Sequence, residues 1–175
     1  MIHLNNYGWN DKLSQLKQES TYNALTHGRI SIVHRTCYEV VSENGLFQCE
    51  LTGNMMYGKS DFELPCTGDW VLFQPFDEHK GIIVDMLPRE RTLYRKKNGT
   101  VADKQTIASY VDKAFIVQSL DDNFNVRRAE RFMVQMQEEH INPVLVFNKA
   151  DLRFDKQKVE EQIRHIARQI PVFFT

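Results

Sequence analysis

The sequence predicts a small Greek-key β-barrel of the OB type, followed by part of an α/β domain with a parallel sheet. Two observations lead to this fold class. Between residues 28 and 87, short strand-like runs alternate with turn signals, and a longer irregular stretch separates the third run from the fourth. After residue 112, short apolar runs alternate with amphipathic helices, an order typical of parallel strands joined by right-handed crossovers.

A short amphipathic helix is predicted before the barrel, over residues 9–19, with Asn10 or Asp11 as its cap. The barrel should then contain five strands, and Asn44-Gly45 marks a hairpin turn between the second and the third. We place these strands at residues 29–34, 38–41, 46–51, 68–73 and 82–87.

The α/β part contains three apolar runs, at residues 114–118, 143–147 and 171–174, and helices at 126–139 and 156–169. This is about half of a nucleotide-binding domain, so we expect Thr175 to be a truncation point. The predicted domains are an N-terminal helical extension over residues 1–27, an OB-fold domain over 28–92 and the first half of the second domain over 93–175.

Composition limits the class of protein. Of the 175 residues, 42% are hydrophobic and 26% are charged, as in soluble globular proteins. The net charge of −1 says nothing about nucleic acid, so any basic site must be local. No apolar stretch approaches the roughly 20 residues of a membrane span, and the N-terminus lacks the regions of a signal peptide. We therefore expect a cytoplasmic protein with no membrane partner. We also expect it to be monomeric.

The spacing of cysteine and histidine indicates no metal site. Cys37, Cys49 and Cys66 form no C-x-x-C pair and have no histidine at ligand spacing, and no two histidines form an H-x-x-x-H pair. We expect the three cysteines to be buried free thiols.

The tetrapeptide Asn148-Lys149-Ala150-Asp151 fits the pattern N-K-x-D and directly follows the apolar run at 143–147. The carboxyl end of a buried strand is where open α/β sheets bind ligands. A carboxylate at Asp151 can accept two parallel hydrogen bonds, from the N1–H and the exocyclic amine of guanine. Adenine offers no such pair of donors and would leave the carboxylate unpaired. The motif therefore predicts a guanine-binding site.

A second motif competes with this interpretation. Residues 53–60 fit the phosphate-binding pattern G-x-x-x-x-G-K-[ST] letter for letter. Such a loop needs a helix after Lys59-Ser60, because the helix N-terminus holds the phosphates, and Pro65 and Gly68 leave little room for one. No Asp between residues 61 and 147 is followed three residues later by Gly, as the switch motif of a normal-order GTPase requires. We interpret this match as a coincidence within a barrel loop.

A basic segment joins the two parts of the chain. Residues 88–99 contain one acidic residue, a tyrosine, Tyr94, and five basic residues, Arg89, Arg91, Arg95, Lys96 and Lys97. Clustered cations beside an aromatic ring, next to an OB-type barrel, indicate binding to RNA or single-stranded DNA. A solvated linker remains the alternative.

Taken together, several motifs resemble a known family. They are P-x-x-G-D-W-V at residues 65–71, Leu-Pro-Arg at 87–89, Gln-Thr-Ile-Ala at 105–108, Asp-Asn-Phe-Asn at 122–125 with Arg-Ala-Glu-Arg at 128–131, and N-K-x-D at 148–151. In this order they resemble the ribosome-small-subunit-dependent GTPases of the RsgA/YjeQ family. One departure is Tyr110, which stands where the family usually has Asn before Val-Asp.

The resemblance implies an OB domain followed by a partial, truncated GTPase domain of the P-loop type in circularly permuted order. In that order N-K-x-D precedes the P-loop, which explains the missing switch motif. Asn148 would brace the loop, the Lys149 stem would lie over the base, and Asp151 would read the guanine. The family implies a GTPase that uses GTP and Mg²⁺, with the small ribosomal subunit and its rRNA as partners. Its C-terminal Zn²⁺ module is absent from this chain, and without a P-loop the chain should be inactive alone.

Two alternatives remain open from the sequence. The first is a non-enzymatic OB-fold RNA-binding protein whose α/β tail is structural. The second is a normal-order P-loop NTPase that uses Lys59.

Overall fold

The computed structural model describes residues 1–57, 59–96, 104–121, 124–151, 156–168 and 170–175. These residues form two compact units, Met1–Tyr110 and Val111–Thr175, described here one at a time.

The first unit contains a closed five-stranded barrel with the order β1-β2-β3-β5-β4. Its strands pair antiparallel, except for β3 and β5, which are parallel. This order and the Greek-key connection confirm the predicted OB-type barrel. The strands are β1 Thr26–Val33, β2 Tyr38–Ser42, β3 Gly45–Leu51, β4 Trp70–Asp77 and β5 Lys80–Met86.

The barrel has apolar packing on two sides of β4. Val71 and Phe73 point into the barrel interior with residues such as Ile30, Phe47 and Ile83. Trp70 and Leu72 belong to a second cluster on the outside, formed with Leu4, Leu13, Val41 and Leu87. Because both faces of this strand are covered, its first residues are buried without alternation.

The N-terminal extension supplies the outer layer of this second cluster. It consists of a 3₁₀-helix at Leu4–Tyr7 and helix α1 at Asp11–Glu19. The Asn10 side chain accepts a hydrogen bond of 3.1 Å from the Leu13 backbone N–H, as expected of an N-cap residue. The predicted helix and one of its two candidate caps are therefore confirmed, and the helix starts two residues later than expected.

A two-stranded hairpin follows the barrel and was not predicted. It pairs β6, Leu93–Lys96, with β7, Lys104–Ala108, in antiparallel orientation. The middle of the basic segment, Leu93–Lys96, is therefore a strand. The hairpin lies in the first compact unit, whereas the domain boundary between residues 92 and 93 stays a prediction.

Gly68 and Ser109 make a close backbone contact between the barrel and the end of this hairpin. Gly68 has φ +96°, and a Cβ atom there would lie 2.3 Å from the Ser109 carbonyl oxygen. Only glycine fits both conditions. Tyr110 has φ 53°, a left-handed conformation that Asn adopts more readily than tyrosine. This conformation gives a physical reason for the Asn that the resembled family has here.

The second unit is a parallel three-stranded sheet in the order β10-β9-β8, as predicted. Its strands are β8 Lys113–Ser119, β9 Asn142–Asn148 and β10 Val172–Phe174, and its helices are α3 Val126–Glu138 and α4 Lys156–Ala167. The buried apolar residues of α3 are Ala129, Met133 and Met136, which recur at helical spacing. Along β8, buried and exposed residues alternate, as expected for a strand with one covered face.

Residues 53–60 do not have a helix after the lysine. The short helix α2, Gly53–Met56, lies at the start of this stretch, and Gly58 lies outside the described residues. From Ser60 the chain turns, because the Ser60 N–H and hydroxyl both donate to the Glu63 carboxylate, at 3.0 and 2.8 Å.

Among the described residues, no helix combines the length and apolar character needed to cross a membrane.

Candidate functional site

The N-K-x-D tetrapeptide lies at the carboxyl edge of the parallel sheet. Strand β9 ends at Asn148, β8 ends at Ser119 and β10 ends at Phe174. Because parallel strands all end at the same edge, the segments that follow them meet there. Residues 119–121, residues 148–151 and Thr175 therefore form one cluster.

Hydrogen bonds hold the tetrapeptide in a defined shape. The Asn148 Oδ1 atom accepts from the Lys149 N–H at 2.8 Å and from the Thr175 hydroxyl at 3.4 Å. The Ala150 N–H donates to the Thr175 carbonyl at 2.9 Å, and the Thr175 N–H donates to the Phe147 carbonyl at 2.8 Å. The end of β10 thus fixes the loop that follows β9.

Lys149 is held at both its backbone and its ammonium group. Its φ of 65° is left-handed, and its Nζ atom lies 2.8 Å from Oδ2 of Asp121. The other oxygen of Asp121 accepts from the Ser119 hydroxyl at 2.9 Å. The stem of Lys149 is therefore directed along the edge of the sheet.

The side chain of Asp151 is exposed at this edge. A carboxylate in this position can accept the paired N–H groups of a planar base, and the peptide groups around Asn148 and Ala150 fix its distance from the sheet. Within the described part of the chain, no group of three His, Cys, Asp or Glu side chains comes together as a metal site. The cluster offers hydrogen-bond acceptors at its exposed edge, and it offers no set of protein ligands for a metal ion within those residues.

Thr175 and Asp121 are members of this cluster that the motif alone did not reveal. Their signal in the sequence is positional, since each lies within two residues of the observed end of a parallel strand. The pattern of N-K-x-D contains no information about either residue.

Arg89 is used by the protein itself. Its Nε and Nη2 atoms donate to the carboxylate of Asp69 at 2.7–3.1 Å, and its remaining bonds reach the carbonyls of Phe62 and Leu64. The side chain is 12% exposed and that of Asp69 is fully buried. Burial alone would lower the pKa of Arg89, but its hydrogen bonds and charge pairing with Asp69 raise it above its usual value. An RNA contact at Arg89 stays a prediction, one that this geometry disfavours.

The other basic residues have different surroundings. Arg95, on β6, is exposed and donates from Nε and Nη2 to the Gln105 side-chain oxygen at 3.0 and 2.9 Å. Arg91 lies 3.3 Å from the Glu90 carboxylate and is partly exposed. Lys96 ends β6, but its side chain is outside the described part, as is the whole of Lys97.

Tyr94 does not present an open ring. The Nζ atom of Lys104 lies 4.2 Å from the ring centroid, and Phe62 meets the ring edge-on at 6.3 Å. One face of Tyr94 is therefore already covered by a cation, which leaves less of the ring for stacking on a base.

The sequence matches a known family. A family model described as RsgA GTPase matches residues 86–175. The chain is 69% identical over 173 residues to the small ribosomal subunit biogenesis GTPase RsgA 1 of Bacteroides thetaiotaomicron, covering 99% of this chain and 49% of that protein. It is 33% identical over 177 residues to the small ribosomal subunit biogenesis GTPase RsgA of Methanosarcina acetivorans, covering 98% and 46%.

A solved structure has the same fold. The crystal structure of YjeQ from Thermotoga maritima aligns with a TM-score of 0.61 and 22% identity, over 85% of this chain and 51% of that one. This likeness supports the barrel followed by an α/β region. The chain spans about half the length of the curated relatives it matches.

Proposed function

This chain belongs to the RsgA GTPase family, and we propose that it supplies the guanine-recognising and RNA-binding parts of a GTPase in small-subunit maturation. The names of its relatives support a role in biogenesis of the small ribosomal subunit. In this proposal the protein is cytoplasmic and monomeric, and its partners are the small subunit and its rRNA.

The observation that carries this proposal is the exposed carboxylate of Asp151 beside a fixed loop at the carboxyl edge of the sheet. Asp151 pairs with the guanine N1–H and amine, Asn148 braces the loop through Lys149 and Thr175, and the Lys149 stem lies over the base. Ala150 contributes its backbone bond to Thr175. Selection against adenine follows, because adenine would leave the carboxylate without its two donors.

In this proposal, residues other than those of the N-K-x-D loop bind the phosphates and Mg²⁺. Phosphoryl transfer depends on loop amides, a lysine and the metal ion held in place around the phosphates. In this proposal the sheet edge provides the base-binding part of such a site. The residues following Lys59 form a turn and do not form the N-terminus of a helix. We infer that this chain alone does not hydrolyse GTP and binds it poorly.

The test uses a joined protein, in which this chain is followed by the remaining half of the Bacteroides thetaiotaomicron relative. The joined protein should hydrolyse GTP in preference to ATP, and the chain alone should show no turnover. Turnover by the chain alone would argue for a working phosphate loop at residues 53–60. RNA binding without any GTP binding by the joined protein would favour the non-enzymatic alternative.

We expect Lys59→Ala in the joined protein to leave GTP affinity and turnover within about threefold of the unsubstituted protein, the range of an ordinary surface change. Lys59 lies on the barrel, with its Nζ atom 3.9 Å from the Met55 sulfur. The measurement is steady-state GTP turnover, with the exposed barrel lysine Lys80→Ala as the matched control. A loss of about a hundredfold, with the fold intact, is typical of removing a transition-state contact. That result would overturn the permuted arrangement.

The proposed RNA surface is the β6–β7 hairpin. Arg95 is exposed on β6 and Lys104 is exposed on β7, and the partly exposed Arg91 lies two residues before β6. The outer surface of β2 and β3 instead carries Glu39 and Glu50, which repel phosphates. Charge complementarity therefore favours the hairpin over that part of the barrel.

Neutralising Arg91, Arg95 and Lys96 to Gln together should weaken binding of the joined protein to purified small subunits and flatten its salt dependence. The slope of log K against log salt should fall by about 0.7 to 0.9 for each lost phosphate contact. The matched control neutralises Lys113, Arg131 and Arg164 in the second unit, which removes the same charge. An equal slope in both variants would mean that the segment is a linker.

A further inference from the structure

Asp121 occupies an unassigned position between the guanine motif and the end of the neighbouring strand. Its Oδ1 atom accepts from the Ser119 hydroxyl at 2.9 Å, and its Oδ2 atom lies 2.8 Å from the Nζ atom of Lys149. Its backbone carbonyl accepts from the Phe124 N–H at 2.9 Å. The carboxylate is thus held from its own strand and directed at Lys149.

The contact fixes the far end of a flexible side chain. The backbone of Lys149 is already constrained by its left-handed φ and by the bond from its N–H to Asn148. A lysine side chain loses conformational freedom when it is ordered, which disfavours binding. An acceptor that orders the ammonium before the ligand arrives removes part of this loss from the free energy of binding.

We propose that Asp121 is a positioning residue for guanine-nucleotide binding, which acts by holding Lys149 so that its apolar stem forms one wall of the base site. This inference rests on the proposed function of the N-K-x-D loop. A lysine stem packs on the face of a base and does not read its edge. Asp121 therefore contributes to affinity for guanine and xanthine nucleotides alike, whereas Asp151 distinguishes between them.

The expected size of the effect follows from exposure. The side chains of Lys149 and Asp121 are 50% and 24% exposed, so water and salt screen their attraction. Asp121→Ala should weaken binding of a fluorescent GTP analogue to the joined protein about three- to tenfold, and less at high salt. Asp121→Asn keeps one acceptor oxygen for the ammonium and should recover part of the loss.

A double-mutant cycle with Lys149→Met separates positioning from a general structural effect. Methionine keeps an unbranched apolar stem and removes the charge that Asp121 holds. If Asp121 acts through Lys149, then Asp121→Ala should add little to the loss caused by Lys149→Met. The ratio of GTP to XTP affinity should stay unchanged in Asp121→Ala. The control is Glu138→Gln, an exposed carboxylate at the far end of α3.

The outcomes distinguish this inference from the proposed function. Additive losses in the cycle, with guanine preference intact, would overturn the positioning role and leave the function standing. Absence of guanine preference in the unsubstituted joined protein would overturn the function. The contact itself is tested without nucleotide, in the 175-residue chain, from the ¹⁵Nζ resonance of Lys149. We expect Asp121→Ala to shift that resonance and Glu138→Gln to leave it in place, and an unshifted resonance in Asp121→Ala would overturn the inference.

Discussion

Asp69→Asn is expected to lower the free energy of unfolding of the first unit by about 3 to 5 kcal/mol, the usual cost of breaking a buried ion pair. The Asp69 carboxylate is fully buried and accepts four bonds within 3.1 Å, three from the Arg89 guanidinium and one from the Cys66 N–H. The amide of Asn has one acceptor oxygen and no charge. It would leave the cation of Arg89 buried without a counter-charge.

The unit can be followed separately from the rest of the chain. Both tryptophans, Trp9 and Trp70, lie in Met1–Tyr110, so tryptophan fluorescence during urea unfolding reports this unit alone. Asp77→Asn, at the exposed last residue of β4, is the matched control. It should change the unfolding free energy by no more than about 0.5 kcal/mol. A similar small change for Asp69→Asn would mean that the pair does not stabilise the fold.

Arg89→Met removes the other partner of the buried ion pair with Asp69. The single substitution leaves a buried carboxylate without its cation, whereas the double substitution with Asp69→Asn leaves neither charge. The double variant should therefore lose less stability than the sum of the two single variants. Additive losses would show that the two side chains stabilise the unit independently.

This pair also shows which parts of the first unit could be predicted. The strands of the barrel were visible because local patterns of turns and apolar residues specify them. The P-x-x-G-D-W-V motif could be recognised in the sequence, but the structural roles of its glycine and aspartate could not be predicted from it. Gly68 is required by the backbone of Ser109 and Asp69 by the side chain of Arg89, both distant in sequence. Such long-range contacts leave no local signal, which is why Arg89 was predicted to bind RNA together with the other cations of the basic segment.

The hairpin was missed for a related reason. Leu93 to Lys96 contains two cations and only a weak alternation of apolar residues, so its composition resembles that of a linker. Its strand character comes from pairing with β7, of which Thr106 is a buried member that donates to the Phe62 carbonyl at 3.0 Å. Tertiary pairing specifies this strand more strongly than its own residues do.

The helices and strands of the second unit were easier to predict, since its strands are short apolar runs and its helices have apolar residues at helical spacing. The position of the N-K-x-D loop followed from strand order alone. Asp121 and Thr175 could not be assigned, because their roles depend on the distances between the ends of three parallel strands. A pattern of residue types predicts that these ends are neighbours, but it does not predict which side chains touch.

Asp151→Asn in the joined protein is expected to weaken GTP binding by about 2 to 4 kcal/mol, the cost of one or two unpaired polar groups in a closed site. The carboxylate is exposed in the chain, and a base bound as proposed would cover it. It would then accept from two guanine donors, N1–H and the exocyclic amine. The amide of Asn offers one acceptor and one donor. Its NH₂ group would therefore face one of the two guanine N–H donors, and no hydrogen bond could form between them.

The same amide suits xanthine, which carries an oxygen at C2 where guanine carries an amine. Asp151→Asn should therefore gain XTP affinity relative to GTP, while the unsubstituted protein should discriminate strongly against both XTP and ATP. Competition binding with the three nucleotides measures this change directly, and Glu138→Gln serves as the control. Because Asp121→Ala should lower affinity without altering the GTP to XTP ratio, the two carboxylates have separable signatures. An Asp151→Asn protein that kept its full preference for GTP would mean that another residue reads the base.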